Sequence, residues 1–440
     1  MRWTIPVVSA VIALPIVGCQ GIPQHAFPYA PASYGLALAG GERVIHSFAG
    51  SPHGELPGGN PIVDSAGGLY GTTFRGGTSG ACGGGCGTIF RLAQNAHGRW
   101  KETTLWSFDL TRGAYPSYPL VADPSGNLYG ATDVGGNLGV AYGLFHRTNG
   151  FQLQVLHNFQ GGYDGAQPRS NLIFDRHGNL YSTTVAGGTG GSGGGGTVYE
   201  LIPSGSNWTE KILYRFSPYT SGANPQAGVI FGPAGGLYGT TTYGGNNACP
   251  TGCGVVFKLA PAGKGRWTES VLHAFNGSDG CYSVAGLITD AAGNFFGSTD
   301  EGGSGGCSLR ATRERSQTGC VNGCGALFEL SRGARGHYSF TVVHYFTAAT
   351  GAGPSGNLVL DGAGNLYGTT VIGGSVGSGV VFKLAPAAHN QWKYTVLHTF
   401  SNTPDGSQPT GVVMGTNGKL YGTTGGGGAL GLGAAFEVTP

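Results

Sequence analysis

The sequence has few charged residues and no cluster of basic ones. Asp, Glu, Lys and Arg make up 10% of the 440 residues, and 23 Lys and Arg residues nearly balance 21 Asp and Glu residues. A protein that binds nucleic acid needs clustered Lys and Arg side chains to neutralise the phosphates. The composition therefore argues against nucleic acid as a partner.

Familiar catalytic motifs are scarce as well. The chain has no Walker-type phosphate loop and no His-Glu-x-x-His zinc motif. Such motifs bring together the groups that bind phosphate or activate water, and they are the clearest signs of chemistry in a sequence. We therefore assign no catalytic residue, no metal ligand and no cofactor from motifs.

Long apolar segments are missing except at the start. Arg2 precedes a mostly apolar run from Trp3 to Val17, which is too short for a comfortable membrane-spanning helix. The run ends in Ile16-Val17-Gly18-Cys19, which resembles a bacterial lipobox. We predict a signal peptide over 1–18, lipidation of Cys19 and a flexible tether over 19–41. The protein would then be extracytoplasmic and anchored to the cell envelope, in the outer membrane if one is present.

What the chain does contain is one phrase repeated seven times. Asp-x-x-Gly-Asn-Leu-Tyr-Gly-Thr-Thr or a close variant recurs about every 58 residues. The 88 glycines of the chain would by themselves suit a disordered protein, but the apolar and aromatic positions are too regular for disorder. The repeated Tyr or Phe stands at Tyr70, Tyr129, Tyr181, Tyr238, Phe296, Tyr367 and Tyr421.

Each unit contains four short strand-like segments, which we call A, B, C and D. The last unit stops after its C segment, whereas the first segment of the array, Arg43 to Phe48, resembles a D segment with no A, B or C before it. If this segment completes the last unit, the ring closes and no sheet edge stays open. We therefore predict an all-β fold over 42–440, a seven-bladed β-propeller of four-stranded blades. A β-solenoid is the alternative.

Cysteines are predicted to form disulfides. Apart from Cys19 there are eight, an even number that suits an exported chain. We predict three Cys-x-x-x-Cys pairs and a bridge between the remaining two, and we prefer this to a zinc site because no matched His pair accompanies them. The predicted pairs are Cys82 with Cys86, Cys249 with Cys253, Cys320 with Cys324, and Cys281 with Cys307.

Three recurring strings carry a resemblance to a known family. They are Gly-Asn-Leu-Tyr-Gly-Thr-Thr, the Gly-x-Val-Phe-Lys-Leu string at 254–259 and 379–384, and the Leu-His-x-Phe string at 156–159, 272–275 and 397–400. They resemble the GloVer tandem-repeat proteins, which are bacterial surface proteins that share a repeat and carry different envelope anchors. The resemblance covers nearly all of 43–440. It implies a surface location and implies no particular reaction.

Repeated polar positions are interpreted as structural. Five D segments share a histidine, which Trp106 and Tyr214 replace in the other two, so the position favours a planar ring more than a metal ligand. The repeated Asp is interpreted as a turn cap. The shared histidines are His46, His157, His273, His344 and His398.

Positions that depart from the repeat are the candidates for function. Asp133 and Asp300 follow the second Thr of segment B in two units, and Glu301 stands beside Asp300. Aromatic residues in the D-to-A loops are candidates for stacking on sugar rings. These are Tyr115, Tyr118, Tyr163, Tyr219 and Tyr282.

The leading hypothesis is a noncatalytic surface lipoprotein whose propeller face binds a protein or a polysaccharide. An alternative is an extracellular carbohydrate-active or lactone-cleaving enzyme that uses Asp133, Asp300 and Glu301, with calcium as a cofactor only in this case. The third hypothesis is a purely structural component of the envelope.

Overall fold

The described residues form seven four-stranded antiparallel sheets, the blades of a β-propeller. The structure is a computed structural model and describes residues 41–189, 194–217, 221–304, 307 and 323–440. Among these residues there is no α-helix, and four short 3-10 turns occur at Gly162–Asp164, Pro233–Gly235, Ala334–Gly336 and Ala388–Asn390. This confirms the predicted fold class.

Each blade follows the predicted order of strands A, B, C and D. Blades 1 to 3 are β2 (Gly54–Val63), β3 (Leu69–Gly76), β4 (Thr88–Gln94) and β5 (Trp100–Ser107); β6 (Val121–Ala122), β7 (Leu128–Thr132), β8 (Val140–Arg147) and β9 (Gly150–Asn158); and β10 (Ile173–Phe174), β11 (Leu180–Thr184), β12 (Thr197–Ser204) and β13 (Asn207–Arg215). Blades 4 and 5 are β14 (Ile230–Phe231), β15 (Leu237–Thr240), β16 (Val255–Pro261) and β17 (Trp267–Ala274); and β18 (Ile288–Thr289), β19 (Phe295–Thr299), β20 (Ala326–Arg332) and β21 (Tyr338–Tyr345). Blades 6 and 7 are β22 (Ala352–Leu360), β23 (Leu366–Ile372), β24 (Val380–Pro386) and β25 (Trp392–Thr399); and β26 (Ser407–Met414), β27 (Leu420–Gly426), β28 (Ala434–Val438) and β1 (Glu42–Ser47).

The first strand closes the ring, as predicted. β1 pairs antiparallel with β28, with Glu42 opposite Val438 and Ser47 opposite Ala434. It supplies the D strand that the last unit lacks. Backbone groups of β28 that would otherwise form an open edge are therefore paired.

The repeated phrase builds the A–B turn and the end of strand B. In blade 6, Asp361 Oδ1 accepts hydrogen bonds from the backbone N–H groups of Ala363 and Asn365, and Oδ2 accepts one from the Tyr367 hydroxyl at 2.9 Å. Burial opposes ionisation, but these hydrogen bonds lower the pKa of Asp361. The repeated Asp is thus a turn cap, as the sequence indicated.

The second Thr of the phrase has the same role in all seven blades. Its hydroxyl donates to the backbone carbonyl two residues on, where strand B becomes the B–C loop. The seven bonds, each between 2.8 and 3.0 Å, join Thr73 to Arg75, Thr132 to Val134, Thr184 to Ala186, Thr241 to Tyr243, Thr299 to Glu301, Thr370 to Ile372 and Thr424 to Gly426. The threonine hydroxyl thus fixes the direction in which each loop leaves its blade.

Neighbouring blades pack against each other through a ring of aromatic pairs. The Phe that follows each D strand packs edge-on against an aromatic ring of strand C in the next blade, with centroids 4.9 to 5.3 Å apart. Phe48 with Phe90 joins blade 7 to blade 1. In six of the blades a glycine of strand B makes room for these rings: a Cβ on Gly71 would lie 2.6 Å from Phe90.

Disulfides are confirmed, but part of their predicted pairing is wrong. Cys82 pairs with Cys86 and Cys249 with Cys253, as predicted. Cys324, however, pairs with Cys307, so neither the Cys320–Cys324 bridge nor the Cys281–Cys307 bridge forms. Cys281 is disulfide-bonded too. Strand ends and loops bring Cys307 and Cys324 to 5.1 Å between Cα atoms, a proximity that the Cys-x-x-x-Cys spacing did not reveal. Stable disulfides fit an extracytoplasmic protein.

The predicted signal peptide (1–18), Cys19 and all but one residue of the tether lie outside the described residues. Within the part of the chain that the structure describes, no helix has the length and hydrophobicity needed to cross a membrane.

Candidate functional site

A central cavity of about 310 Å³ is lined, in all seven blades, by residues of strand A or of the segment just before it. Every blade contributes to its wall, so strand A is innermost and strand D is outermost. Val371 and Gly425, each directly after the second Thr of a B strand, line this cavity. It therefore lies toward the face that carries the D–A and B–C loops, which we call the long-loop face.

A left-handed backbone position at the entry to each A segment ties that face together. Its N–H donates to a carbonyl in the B–C loop of the preceding blade, at 2.7 to 3.2 Å. The residues with positive φ are Leu56, Tyr115, Gln167, Asn224, Tyr282, Gly353 and Gln408, and their acceptors belong to Leu432, Cys86, Leu138, Gly195, Cys253, Cys324 and Ser378. Three acceptors are disulfide cysteines, so the disulfides hold the loops that receive these bonds.

Five side-chain amides contribute to the polar part of the cavity wall. Asn60 donates to the carbonyls of Asn357 and Val412 at 3.0 and 2.8 Å and accepts from the N–H of Asn357 at 2.9 Å, so it links blade 1 to blades 6 and 7. By contrast, within the described residues, three further side-chain amides that line the cavity have no hydrogen-bond partner in the protein. They are Asn171, Gln226 and Gln408.

One charged side chain lines the cavity among the described residues, and it explains Asp133. Arg169 Nε donates to Asp133 Oδ1 at 2.6 Å, across the boundary between blades 2 and 3. The side chains are 28% and 19% exposed, respectively. Asp133, which the sequence singled out as a departure from the repeat, thus orients the one cation of the cavity.

Asp300 and Glu301 do not join Asp133 in a cluster. Within the described residues, one group of three His, Cys, Asp or Glu side chains has all its donor atoms within 4.8 Å of one another, and it contains none of these acids. Glu301 is buried, and its backbone pairs with that of Cys281. The described wall of the central cavity contains no Asp, Glu or His.

The predicted tyrosines fall into different environments. Tyr118 lines the central cavity, and Tyr163 is 65% exposed with Arg215 over its ring. Tyr115 stacks on Phe74 with centroids 4.7 Å apart, and the buried Tyr282 packs edge-on against Tyr243. Tyr219 lies outside the described residues. Tyr118 is therefore the predicted tyrosine that stands at the cavity.

The shared histidines form an outer ring of contacts between blades. Five of the seven ring side chains meet, on the D strand of the next blade, the residue four positions before the equivalent ring. Where that residue is Glu, the contact is polar: His46 to Glu102 at 2.9 Å, His157 to Glu210 at 3.7 Å and Tyr214 to Glu269 at 3.4 Å. Where it is aromatic, the rings stack: His273 on Phe340 at 3.5 Å and His344 on Tyr394 at 4.0 Å.

Three of these histidines also bind an Asp of the following D–A loop. His157 meets Asp164 at 2.9 Å, His273 meets Asp279 at 2.9 Å and His398 meets Asp405 at 3.0 Å. Each Asp accepts a hydrogen bond from a backbone N–H at the start of its loop. These contacts support the structural role that the sequence assigned to the histidines. Their glutamate partners were missed, although Glu four residues before the ring position was a visible signal.

Three glutamates at this position of the D strand, Glu42, Glu210 and Glu269, have strongly raised pKa values, and burial raises that of Glu269 to about 7. Burial, with contributions from a hydrogen bond to Asp164 and from its charge, raises the pKa of Glu210 to about 9. Burial likewise raises the pKa of Glu42 to about 7, although His398 opposes the shift. Burial opposes ionisation of Asp164, but hydrogen bonds from His157, Glu210 and Gln160 hold its pKa below the usual value.

Three solved structures illustrate the similarity to known folds. A candidate 6-phosphogluconolactonase of Bacteroides uniformis is 15% identical, with a TM-score of 0.48 over 76% of this chain and 84% of its own. The extracellular domain of a candidate hybrid two-component system of B. thetaiotaomicron is 13% identical, with a TM-score of 0.48 over 88% of this chain and 39% of its own. A periplasmic gluconolactonase of Pseudomonas aeruginosa is 15% identical, with a TM-score of 0.47 over 88% of this chain and 99% of its own. At these values the similarities assign no activity to this chain.

Sequence comparison is more specific. No curated protein matches the chain. A family model described as the Gloeobacter/Verrucomicrobia repeat matches it three times, over residues 30–189, 139–309 and 313–440. These matches cover nearly the whole repeat array and agree with the resemblance that the repeated strings carry. The chain belongs to the Gloeobacter/Verrucomicrobia repeat family.

Proposed function

We propose that this protein is a noncatalytic binding protein of the cell surface whose central cavity takes the end of a neutral polysaccharide. One observation carries the proposal: Asn171, Gln226 and Gln408, from three different blades, present amides without protein partners to one cavity. Each amide has donors and acceptors that match sugar hydroxyl groups. The cavity, at about 310 Å³, is at the lower end of the range of small-molecule sites, which suits one or two sugar rings.

The surrounding face supports this proposal. The disulfides at Cys82–Cys86, Cys249–Cys253 and Cys307–Cys324 hold B–C loops of blades 1, 4 and 5, and a preordered face loses less entropy on binding. Hydrolysis of a glycoside normally needs two carboxyl groups beside the scissile bond. The described wall offers amides, hydroxyls, apolar groups and Arg169, a composition that suits binding better than hydrolysis.

A cavity-filling variant tests the proposal. Gly425 lines the cavity, its φ is not positive, and an added Cβ would meet its nearest atoms at 3.5 Å or more, so Gly425→Phe places a ring in the cavity at little cost to the backbone. Gly80→Phe is the matched control, because Gly80 lies in a B–C loop, away from the cavity wall, with no atom within 4 Å of an added Cβ.

The full chain, purified in detergent, is screened on an array of neutral and acidic glycans, and hits are measured by calorimetry. We expect binding to neutral glycans that Gly425→Phe abolishes and Gly80→Phe retains. Gln226→Leu should weaken it by about 10-fold, the equivalent of one hydrogen bond. A saccharide site would be refuted if both phenylalanine variants bound glycans equally well. It would also be refuted if no glycan on the array bound while the protein captured a partner protein from the cell surface. Turnover of a lactone or glycoside would favour the enzymatic alternative.

The proposed anchor is the lipidated Cys19. Its support is the sequence Ile16-Val17-Gly18-Cys19 after an apolar run. Metabolic labelling with an alkyne fatty acid should label the wild-type chain and not the Cys19→Ala variant. The variant should also be absent from the membrane fraction. Equal labelling of both proteins would contradict this site of lipidation.

A further inference from the structure

A cluster at the outer boundary of blades 2 and 3 has the donor set of a metal site. It joins His157 on β9, Asp164 in the D–A loop and Glu210 on β13. Nε2 of His157 lies 2.9 Å from Asp164 Oδ1 and 3.7 Å from Glu210 Oε2, and one donor atom from each residue lies within 4.8 Å of the others. Two ligands of one tetrahedral zinc ion are about 3.4 Å apart, as its bond lengths of about 2.0 to 2.2 Å require.

Glu210 supplies a second observation that points to a ligand. Its side chain is 10% exposed, and the buried Oε1 atom has no hydrogen-bond partner. A buried carboxyl oxygen without a hydrogen-bond partner costs free energy, and a cation bound beside it would supply that partner.

The other two ligands are oriented by their surroundings. Asp164 Oδ2 accepts the backbone N–H of Gln160 at 2.5 Å, which leaves Oδ1 directed at His157. The His157 ring packs edge-on against Phe159 with centroids 4.7 Å apart. Contacts of this kind fix ligand orientation in metal sites. Arg215 is the nearby positive charge, and its Nε donates to the Tyr163 carbonyl.

We propose that His157, Asp164 and Glu210 bind a divalent transition-metal ion such as Zn²⁺ or Mn²⁺. One imidazole nitrogen and two carboxylate oxygens suit these ions, and three protein ligands leave a position for water. Calcium prefers six to eight oxygen ligands, which this cluster does not provide. The ion would cross-link two blades and the D–A loop that carries the exposed Tyr163.

The equivalent boundaries are internal controls. Between blades 4 and 5, His273 and Asp279 adopt the same arrangement, but Phe340 replaces the glutamate and stacks on the histidine. Between blades 6 and 7, within the described residues, His398, Asp405 and Glu42 do not bring three donor atoms within the same distance. The proposal therefore applies to one boundary of the seven.

The test uses the full chain in detergent, without a histidine tag, after chelation and oxidation of its cysteines. Calorimetry and Mn²⁺ electron paramagnetic resonance should show one tight site per chain, and the bound Mn²⁺ should show coupling to a histidine nitrogen. Glu210→Gln and Asp164→Asn should each weaken binding by about 10-fold or more, since even outer partners of metal ligands contribute this much.

Asp279→Asn is the matched control, because it removes the same loop contact from a boundary that lacks the glutamate. It should lower the melting temperature of the apoprotein as Asp164→Asn does, yet retain the full affinity for Mn²⁺ and Zn²⁺. The proposal is overturned if the wild type binds neither ion. It is equally overturned if binding survives in Glu210→Gln and Asp164→Asn, which would place the ion elsewhere, or if Asp279→Asn loses binding equally.

Discussion

Closure of the ring by β1 predicts that Phe48 stabilises the protein as much as an equivalent residue inside the array. Phe48 is fully buried, and its ring lies 5.1 Å from that of Phe90. Phe216 is its internal counterpart, 1% exposed and 5.0 Å from Phe257. Replacing such a Phe by Ala costs about 3–5 kcal/mol, of which the edge-on ring pair accounts for about 0.5–1.5 kcal/mol. Phe48→Ala and Phe216→Ala should therefore lower the free energy of unfolding by similar amounts.

The measurement is urea-induced unfolding of the full chain under non-reducing conditions, followed by tryptophan fluorescence, with hydrogen exchange read at β28. Phe48→Ala should also speed exchange of the β28 amides, because β28 pairs with β1 and Phe48 directly follows β1. Phe48→Leu keeps most of the buried volume and should cost about 1–2 kcal/mol. If Phe48→Ala cost less than about 1 kcal/mol and β28 stayed protected while Phe216→Ala cost the full amount, β1 would not close the ring.

Two predictions concern pH. Because burial, together with the charges of Asp405 and Glu437, raises the pKa of Glu42 to about 7 against the opposing effect of His398, the contribution of Glu42 to stability is complete below pH 4.5 and is lost as pH rises through 7. The free energy of unfolding of Glu42→Gln, measured with urea, should match that of the wild type at pH 4 and exceed it by about 1–2 kcal/mol at pH 9, after allowance for screening. Equal free energies of unfolding at pH 9 would contradict this. Burial lowers the pKa of His344 to about 4, so its contribution is lost as pH falls from 6.5 through 4. His344→Phe keeps an aromatic ring stacked on Tyr394. Its free energy of unfolding should exceed that of the wild type by about 1–2 kcal/mol at pH 4 and should equal it at pH 8. An increase that is independent of pH would point to packing instead.

Much of the candidate site was beyond the sequence because it depends on contacts between units. Asp133 stood out as a departure from the repeat, but only the structure shows that it binds Arg169 of the next blade. The amides of Asn171, Gln226 and Gln408 lie in different repeats and share no motif, so their convergence follows from ring closure alone. The Cys307–Cys324 bridge likewise depends on loop geometry that cysteine spacing does not encode.

The outer ring of contacts shows why local pattern was insufficient. On a regular strand, residues four apart face the same side. In blade 3, Glu210 meets His157 of the preceding blade, whereas Tyr214 meets Glu269 of the following blade. The pairing register shifts at Leu213, where a β-bulge turns the strand. A period-two pattern therefore assigns these side chains to one face, although they contact opposite neighbours.

The sequence by itself determined the number of blades, their four strands and the closure by the first strand. Each of these follows from interactions within one unit: the Asp turn, the Thr at the end of strand B, and a D strand that needs a C strand to pair with. The tertiary structure decided which side chains meet between units, and with them the central cavity, the Cys307–Cys324 bridge and the His157 cluster. Loop paths and the β-bulge that recurs in every D strand set those contacts, and a period-two strand pattern encodes neither of them.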